Sequence, residues 1–279
     1  MKSMGKMIIA ASVLAGATAL VTMQANAQSC TPKNSFKTVE EGVLTIAVTT
    51  YAPYSYLSPE GEAKGVDGDI ANKIAEMECL KVKAVAVDTA AGIQYVLSGK
   101  ADITTGDWYR TAERAKVMNL SWPLYNDQMG IYTKEGFEEV KDIEGKSVGT
   151  VQGYLWVADL KKLLGSNLKL YPNSVSMQQD LAAGRIAVGI DGFSTGVVAK
   201  KAGAMPDIEV KVAKSDDRVK ATTEAGQGSF PYSKKNPELG AALDADIKVL
   251  HEDGTIKAIL TANGMEASAG DVGEPRLID

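Results

Sequence analysis

The chain has 279 residues, 45% hydrophobic, 23% charged and only 6% aromatic. That is enough apolar material for one large or two medium cores, and it excludes a disordered tail or a disulfide-dense miniprotein. Removing the first 27 residues takes away Lys2 and Lys6 and no acid, so 30 basic residues become 28 against 35 acidic ones, a net charge near −7. Such a balance disfavours nucleic acid as a partner, because phosphate binding needs a basic surface.

Residues 1–27 read as a secretory signal peptide. Lys2 and Lys6 supply the positive region, Met7 to Val21 is an apolar run short for a bilayer span, and Ala25-Asn26-Ala27 is a small-x-small cleavage site. The mature chain is expected to begin near Gln28. Cys30 lacks the Leu-x-Gly/Ala lead of a lipoprotein, and nothing later resembles a membrane span, so a soluble exported protein is expected. Export favours pairing of Cys30 with Cys79, which would close a loop of about 50 residues and contribute roughly 4 kcal/mol. Two cysteines and one histidine cannot supply a four-ligand zinc centre, so no metal is expected.

After a polar lead-in, Val43 to Thr49 reads as a strand, and Tyr51-Ala52-Pro53-Tyr54 breaks it with a proline. Asp67 or Asp69 is expected to cap a helix with Ile70, Ile74 and Met77 on one face. A strand Val82 to Val87, a helix Ala91 to Leu97 and a strand Ala101 to Thr105 follow. The rhythm resumes with strand Ser147 to Val151, a helix to Leu164, strand Leu168 to Tyr171, a helix through Leu181, strand Ile186 to Ile190, helix Thr195 to Ala202 and strand Ile208 to Val212. Alternation of this kind predicts parallel sheets with helices on both faces, in two lobes. From about Phe230, Asn236-Pro237 opens a helix with Leu239, Leu243, Ile247 and Leu250 on one face. A short helix after Asp253-Gly254 completes a segment expected to pack back on the first lobe, so the chain crosses between lobes twice.

The stretch from Leu97 to Asp107 can be laid over Leu181 to Asp191. Each is a helix end, a glycine turn, a strand and an acid at its carboxyl end. Ligands of open α/β sheets bind beyond the carboxyl ends of strands, so Asp107 and Asp191 are candidates to face one crevice. Chance likeness of two ordinary turns is the alternative.

Thr111 looks like an N-cap and places Arg114 in the first helical turn, where the dipole disfavours a cation and a nearby anion would offset it. Arg114 is therefore either a fork for a ligand carboxylate or a surface arginine paired with Glu113 or Asp107. Tyr51 and Tyr54, Trp108 and Tyr109, and Tyr154 and Trp156 gather at three expected strand ends, where they could wall a pocket for an apolar or cationic group. The stretch Val148-Gly149-Thr150-Val151-Gln152-Gly153-Tyr154 places a glycine between a strand and a helix, where free amides could receive a carboxylate, a simple αβ turn being the alternative; GxGxxG and GxxxxGK patterns are absent, which disfavours a nucleotide. Gly192-Phe193-Ser194-Thr195-Gly196 fits a nucleophile elbow. Against a hydrolase, His251 falls inside an amphipathic helix; Ser194 is read as a helix cap and His251 as a helix-surface residue.

Taken in order, several motifs resemble the family 3 solute-binding proteins of ABC importers: Gly42 to Ala47 with Tyr51-Ala52-Pro53-Tyr54, Gly65 to Ile70, Leu97 to Asp102, Thr111 to Lys116 with Ser121 to Tyr125, and Gly145 to Gly149. The resemblance implies an α/β, two-lobed periplasmic-binding-protein fold of type II with the ligand cleft between lobes. Its parts would be lobe 1 over residues 28–126, lobe 2 over 127–217, and a return to lobe 1 over 218–279. It further implies a periplasmic monomer that binds an amino acid, opine or betaine-like solute, passes it to an inner-membrane permease, needs no cofactor and catalyses nothing. By the same resemblance Arg114 grips a ligand carboxylate, Asp191 takes the ammonium and Tyr51 walls the side chain. Asp107 and Tyr109 depart from the family pattern, as do Tyr154 and Leu155. An extra acid beside Trp108 and Trp156 suits a cationic or methylated ammonium group. The alternatives are a cyclohexadienyl dehydratase-like periplasmic enzyme on the same fold and a sensory ligand-binding protein.

Overall fold

The computed structural model describes Met1 and residues 30–278. The expected signal peptide, apart from Met1, lies outside the described residues. In chain order the first elements are β1 Val43–Thr49, β2 Tyr56–Leu57, β3 Ala63–Lys64, α1 Gly65–Met77, β4 Lys81–Val87, α2 Thr89–Leu97 and β5 Ile103–Thr105. Next come β6 Trp108–Tyr109, α3 Ala112–Val117, β7 Asn119–Leu120, β8 Tyr125–Asp127 and β9 Met129–Thr133. The middle of the chain forms β10 Val148–Val151, α4 Val157–Leu164, β11 Leu168–Tyr171, α5 Ser174–Ala182, β12 Val188–Gly192, α6 Phe193–Lys201 and β13 Glu209–Val212. The chain ends with β14 Gly226–Ser229, β15 Pro231–Tyr232, α7 Pro237–Glu252 and α8 Thr255–Ala262. Cys30 and Cys79 are both disulfide-bonded, and no described helix is long and apolar enough to cross a membrane.

Two five-stranded sheets carry the molecule, in the orders β4-β1-β5-β15-β7 and β11-β10-β12-β9-β13. Strand β1 lies parallel to β4 and β5, and β10 lies parallel to β11 and β12. The expectation of wholly parallel sheets is corrected at the other side of each: β9 runs antiparallel to β12 and β13, and β15 antiparallel to β5 and β7. The cause is the connectivity. Strands β9 and β15 enter their sheets directly from β8 and β14 of another sheet, each after a single residue, and not through the helical crossover from a neighbouring strand that a parallel partner requires. Strands β8 and β14, together with β6, form a third sheet of order β6-β14-β8, in which β14 is antiparallel to both neighbours. Both passages of chain between the large sheets therefore lie side by side in one small sheet.

The likeness between Leu97 to Asp107 and Leu181 to Asp191 gains a structural meaning here. Strands β5 and β12 each occupy the centre of their sheet, each beside a parallel β1 or β10, and each is reached through a left-handed glycine, Gly99 at φ 71° and Gly184 at φ 70°. The two turns are topological counterparts.

Strand β1 is buried over Leu44 to Thr49, as a central strand covered by helices on both faces must be. Ile46, Val48, Ile70, Ile74 and Ile103 join Leu239, Leu243, Ile247, Leu250, Ile256 and Leu260 from α7 and α8 in one cluster, so the C-terminal helices do pack back on the first sheet. The second sheet has its own cluster, with Ile131, Val148, Leu160, Val188 and Ile190. Asn236 caps α7 by accepting from the Leu239 amide.

Neither Asp67 nor Asp69 caps α1, whose N-cap is Lys64. Asp67 is wholly buried within the first turn. It accepts the amides of Gly106 (2.7 Å) and Asp107 (3.0 Å) on Oδ2 and the Tyr125 hydroxyl (2.5 Å) on Oδ1. Its position is thus fixed by the loop after β5, which places Asp107. Burial raises its carboxyl to about 6 against the opposing pull of those donors. Asp67→Ala would strand three buried donors, so we expect a loss on the order of 3 kcal/mol or more in urea unfolding. A loss below about 1 kcal/mol would show that water replaces the carboxylate there.

Candidate functional site

Seven of the eight sequence-selected site residues, Tyr51, Asp107, Trp108, Tyr109, Arg114, Tyr154 and Trp156, line one cleft of about 330 Å³. Thr89, Gly106, Gly153 and Leu155 complete its wall. The elements that deliver them are the loop after β1, the β5–β6 turn with α3, the N-terminus of α2, and the β10–α4 loop. Gly153 adopts φ 88°, and a Cβ built there would sit 3.8 Å from Thr89 Cγ2, so the two sides of the cleft approach closely at this point. Sequence reasoning missed Thr89 because a threonine opening a helix has no pattern of its own. Gly106 has one: it stands next to Asp107 at the end of a short strand, and at φ 134° a Cβ would collide with the Thr49 hydroxyl.

Thr111 caps α3 as expected, its Oγ1 accepting the Arg114 amide at 3.1 Å. Arg114 is half-buried. Its Nη1 donates to the Tyr109 carbonyl at 2.7 Å, and the guanidinium lies 4.9 Å from the Trp108 ring centroid. It makes no salt bridge among the described residues, so pairing with Glu113 or Asp107 does not occupy it. Burial lowers its pKa to about 10, with Asp107 pulling the other way; the group stays charged at neutral pH. Removing the cap by Thr111→Ala is expected to cost about 1 kcal/mol of stability and to weaken ligand binding. Unchanged binding with the stability loss would show that α3 holds its place without the cap.

Asp107 occupies the left-handed region at φ 53°, which aspartate tolerates better than most residues. It is 8% exposed, and its Oδ1 has no hydrogen-bond partner. Burial, then the neighbouring Asp127 and Asp67, push its carboxyl well above the usual range, partly offset by Arg114. Asp127, missed in the sequence, accepts from the Tyr109 hydroxyl (3.2 Å) and from Ser194 Oγ (3.0 Å) and N (3.3 Å). Asp107, pushed toward its protonated form by burial and by the neighbouring Asp127, lies beside an arginine without an ion-pair partner among the described residues, an arrangement that added positive charge would compensate.

Asp191 does not line the cleft. It is wholly buried on β12 behind Tyr51, with Oδ1 accepting the Gly192 amide at 2.9 Å and Oδ2 making no hydrogen bond. The same amide donates to the Tyr51 hydroxyl at 3.1 Å, which joins the loop after β1 to β12 across the two large sheets. Burial raises the Asp191 carboxyl to about 7, although the Ser174 and Tyr51 hydroxyls and the Gly192 amide favour its ionised form. Around it Tyr51 packs on Tyr54 and on Tyr154, both at 5.4 Å between centroids, and Tyr154 meets Trp156 edge-on at 5.2 Å. Tyr54 turns away from the cleft and stacks on Tyr125 at 4.9 Å.

The elbow-like Ser194 is corrected from helix cap to a residue inside α6, whose N-cap is Gly192. Its hydroxyl bonds Asp127, and His251 Nε2 bonds the Pro123 carbonyl at 2.9 Å. The two residues therefore form no nucleophile and base pair.

Residues 44–264 match the family model of bacterial extracellular solute-binding proteins, family 3. The chain is 27% identical over 262 residues to the lysine/arginine/ornithine-binding periplasmic protein of Escherichia coli, covering 90% of this chain and 94% of that one. Among solved structures, an amino acid ABC transporter substrate-binding protein from Streptococcus pneumoniae bound to L-arginine superposes with a TM-score of 0.71 at 24% identity, covering 82% of this chain and 96% of that one. An ancestral amino-acid-binding protein described as a precursor of cyclohexadienyl dehydratase gives 0.68 at 21% identity, with 79% and 95% covered. The two large sheets are accordingly the two lobes of a periplasmic-binding-protein fold, and the chain belongs to family 3 of the bacterial extracellular solute-binding proteins.

Proposed function

We propose that the protein is the periplasmic binding component of an ABC importer and captures a small cationic amino acid or a related cationic solute. The observation that carries this reading is the cleft itself. An arginine without a carboxylate partner and an acid with an unpartnered oxygen share one wall under an aromatic lining. Arg114 takes the ligand carboxylate, Asp191 the α-ammonium, and Asp107 with Trp108, Tyr109, Tyr154 and Trp156 the positive group of the side chain. The ligand reaches Asp191 by displacing the Tyr51 hydroxyl, which now lies between it and the cleft. The names of the arginine- and lysine-binding relatives support the same ligand class.

Lobe 1 comprises residues 28–126 and 218–279 and lobe 2 residues 127–217. A ligand held by Arg114 on one and Asp191 on the other adds contacts to the closed form that the open form lacks, so closure follows from differential affinity. A permease in the inner membrane then recognises the closed monomer, and neither cofactor nor catalysis is involved. A thermal-shift screen of L-arginine, L-lysine, L-ornithine, opines and betaines, followed by calorimetry, tests the assignment. Micromolar binding of a cationic amino acid supports it; preference for neutral or acidic amino acids overturns it. Mass spectrometry of the recovered ligand separates binding from dehydratase-like turnover, since an enzyme would return an altered molecule.

A further inference from the structure

The family match ends at residue 264, yet the chain continues and its last described stretch, residues 271–278, crosses the small sheet through which the lobes are joined. Asn126 of β8 donates from Nδ2 to the Asp271 carbonyl at 2.9 Å. Gln227 of β14, 1% exposed, donates from Nε2 to the carbonyls of Val272 (2.8 Å) and Glu274 (2.9 Å), while its Oε1 accepts the Arg276 amide at 2.8 Å. Arg276 in turn donates to the Ala225 carbonyl at 2.5 Å and pairs with Glu224 at 3.1 Å. Both passages between lobes are thus bound by the same eight-residue segment.

The segment then runs on to the arginine. Ile278 donates its amide to the Arg110 carbonyl (3.0 Å) and accepts the Ala112 amide (2.9 Å), which makes a parallel bridge opposite Thr111. Its side chain, 4% exposed, packs in the cluster that holds Tyr109 and Trp156. This anchorage matters because α3 has six residues and buries none of them. A helix that short is not stable by itself, and with no fully buried side chain it depends on contacts at its ends, among them the Lys234 Nζ bond to the Lys116 carbonyl (2.9 Å) at its C-terminal end. At its N-terminal end, where Arg114 lies, it is located by the Thr111 cap, the Arg114 bond to Tyr109 and the pairing with Ile278.

We propose that residues 271–278 act as a strap, with Gln227, Arg276 and Ile278 as positioning residues that set the hinge sheet and hold Arg114 toward the cleft. Ligand affinity would then depend on residues that touch no ligand. The carboxylate-gripping role of Arg114 rests on the function proposed above; the strap itself does not.

The experiment compares the intact mature protein with a chain ending at Glu274 and, to guard against misfolding of that variant, full-length Arg276→Ala. Hydrogen exchange without ligand is followed over residues 110–116 and 225–229, with α7 and β10 as references. The strap predicts exchange about tenfold faster or more in those two segments, with the references unchanged. Equal exchange in all three proteins overturns it, whatever the ligand proves to be. Binding of L-arginine and of agmatine, which lacks the carboxylate, is then measured by calorimetry. If the strap positions Arg114, the preference for L-arginine shrinks about fivefold or more, since the guanidinium fork is what rewards a carboxylate. A purely structural role lowers stability and leaves the ratio unchanged, which overturns the positioning claim. Failure of the intact protein to bind either compound or any other cation of the screen refutes the cationic-solute reading of the cleft and the positioning claim with it, and the exchange comparison still decides the strap.

Discussion

Arg114→Ala is expected to lower ligand affinity by on the order of 2–5 kcal/mol, from about thirtyfold to several thousandfold, in calorimetry with the tightest ligand from the screen. The size follows from what the side chain faces. Arg114 is charged and half-buried over Trp108 and has no carboxylate partner among the described residues. A ligand carboxylate would be its first counter-charge, and truncation would leave that carboxylate desolvated and unpaired. Arg114→Lys keeps the charge but loses the two-pronged geometry and should fall between the parent and Arg114→Ala. Stability should fall by only about 1–2 kcal/mol, the worth of the lost bond to the Tyr109 carbonyl, because no ion pair among the described residues is broken. Unaltered affinity in Arg114→Ala would take the residue out of the site.

Asp191→Asn should abolish ammonium binding and at the same time stabilise the ligand-free protein above neutral pH. Burial holds the Asp191 carboxyl at about 7 in the fold, whereas an unfolded aspartate titrates near ~3.9. Between those values the folded state binds more protons than the unfolded one. The contribution of Asp191 to stability is therefore fully present below about 4 and lost as pH rises through about 7. Asparagine removes this slope, so the melting temperature of the variant should exceed the parent's at pH 8, by roughly 2–4 °C per kcal/mol relieved. A ligand ammonium compensates the ionised form, so binding to the parent at pH 6 should release a proton and strengthen toward pH 8. Calorimetry in buffers of different ionisation enthalpy reads that proton directly. Parallel pH–melting profiles for parent and variant would show that Asp191 is ionised in the ligand-free fold and that the buried-acid account is wrong.

The parts of this structure legible in the sequence were those encoded within a few neighbours. Strands β1 and β11 fall where their apolar runs are, Thr111 caps α3 and Asn236 caps α7. The gathering of tyrosines and tryptophans at strand ends led to five of the cleft's lining residues, the likeness of two turns to Asp107 and the Thr111 cap to Arg114. What escaped was set by distant partners. The direction of β9 and β15 depends on which sheet they join, not on their composition. Asp67 has the form of a helix cap, and its burial beneath the Gly106 and Asp107 amides is decided by a loop about forty residues away. Asp127 carries no motif at all, and its role emerges only where β8 meets Ser194. The residue at which reading and structure diverge most is Asp191. It has the right place at the end of a central strand, but Tyr51 stands between it and the cleft.

The order of strands in the two large sheets bears on how such a chain survives at high concentration. Their outer members are β4 and β7 in one sheet and β11 and β13 in the other, and among the described residues each ends its sheet without a further strand. Strand β4 places Lys81 and Lys83 outward, β11 does the same with Lys169, β13 presents Glu209, and β7 is only two residues long. Charged or very short margins of this kind deter strand-to-strand aggregation, so the protein can be crowded without forming ribbons through its own sheets.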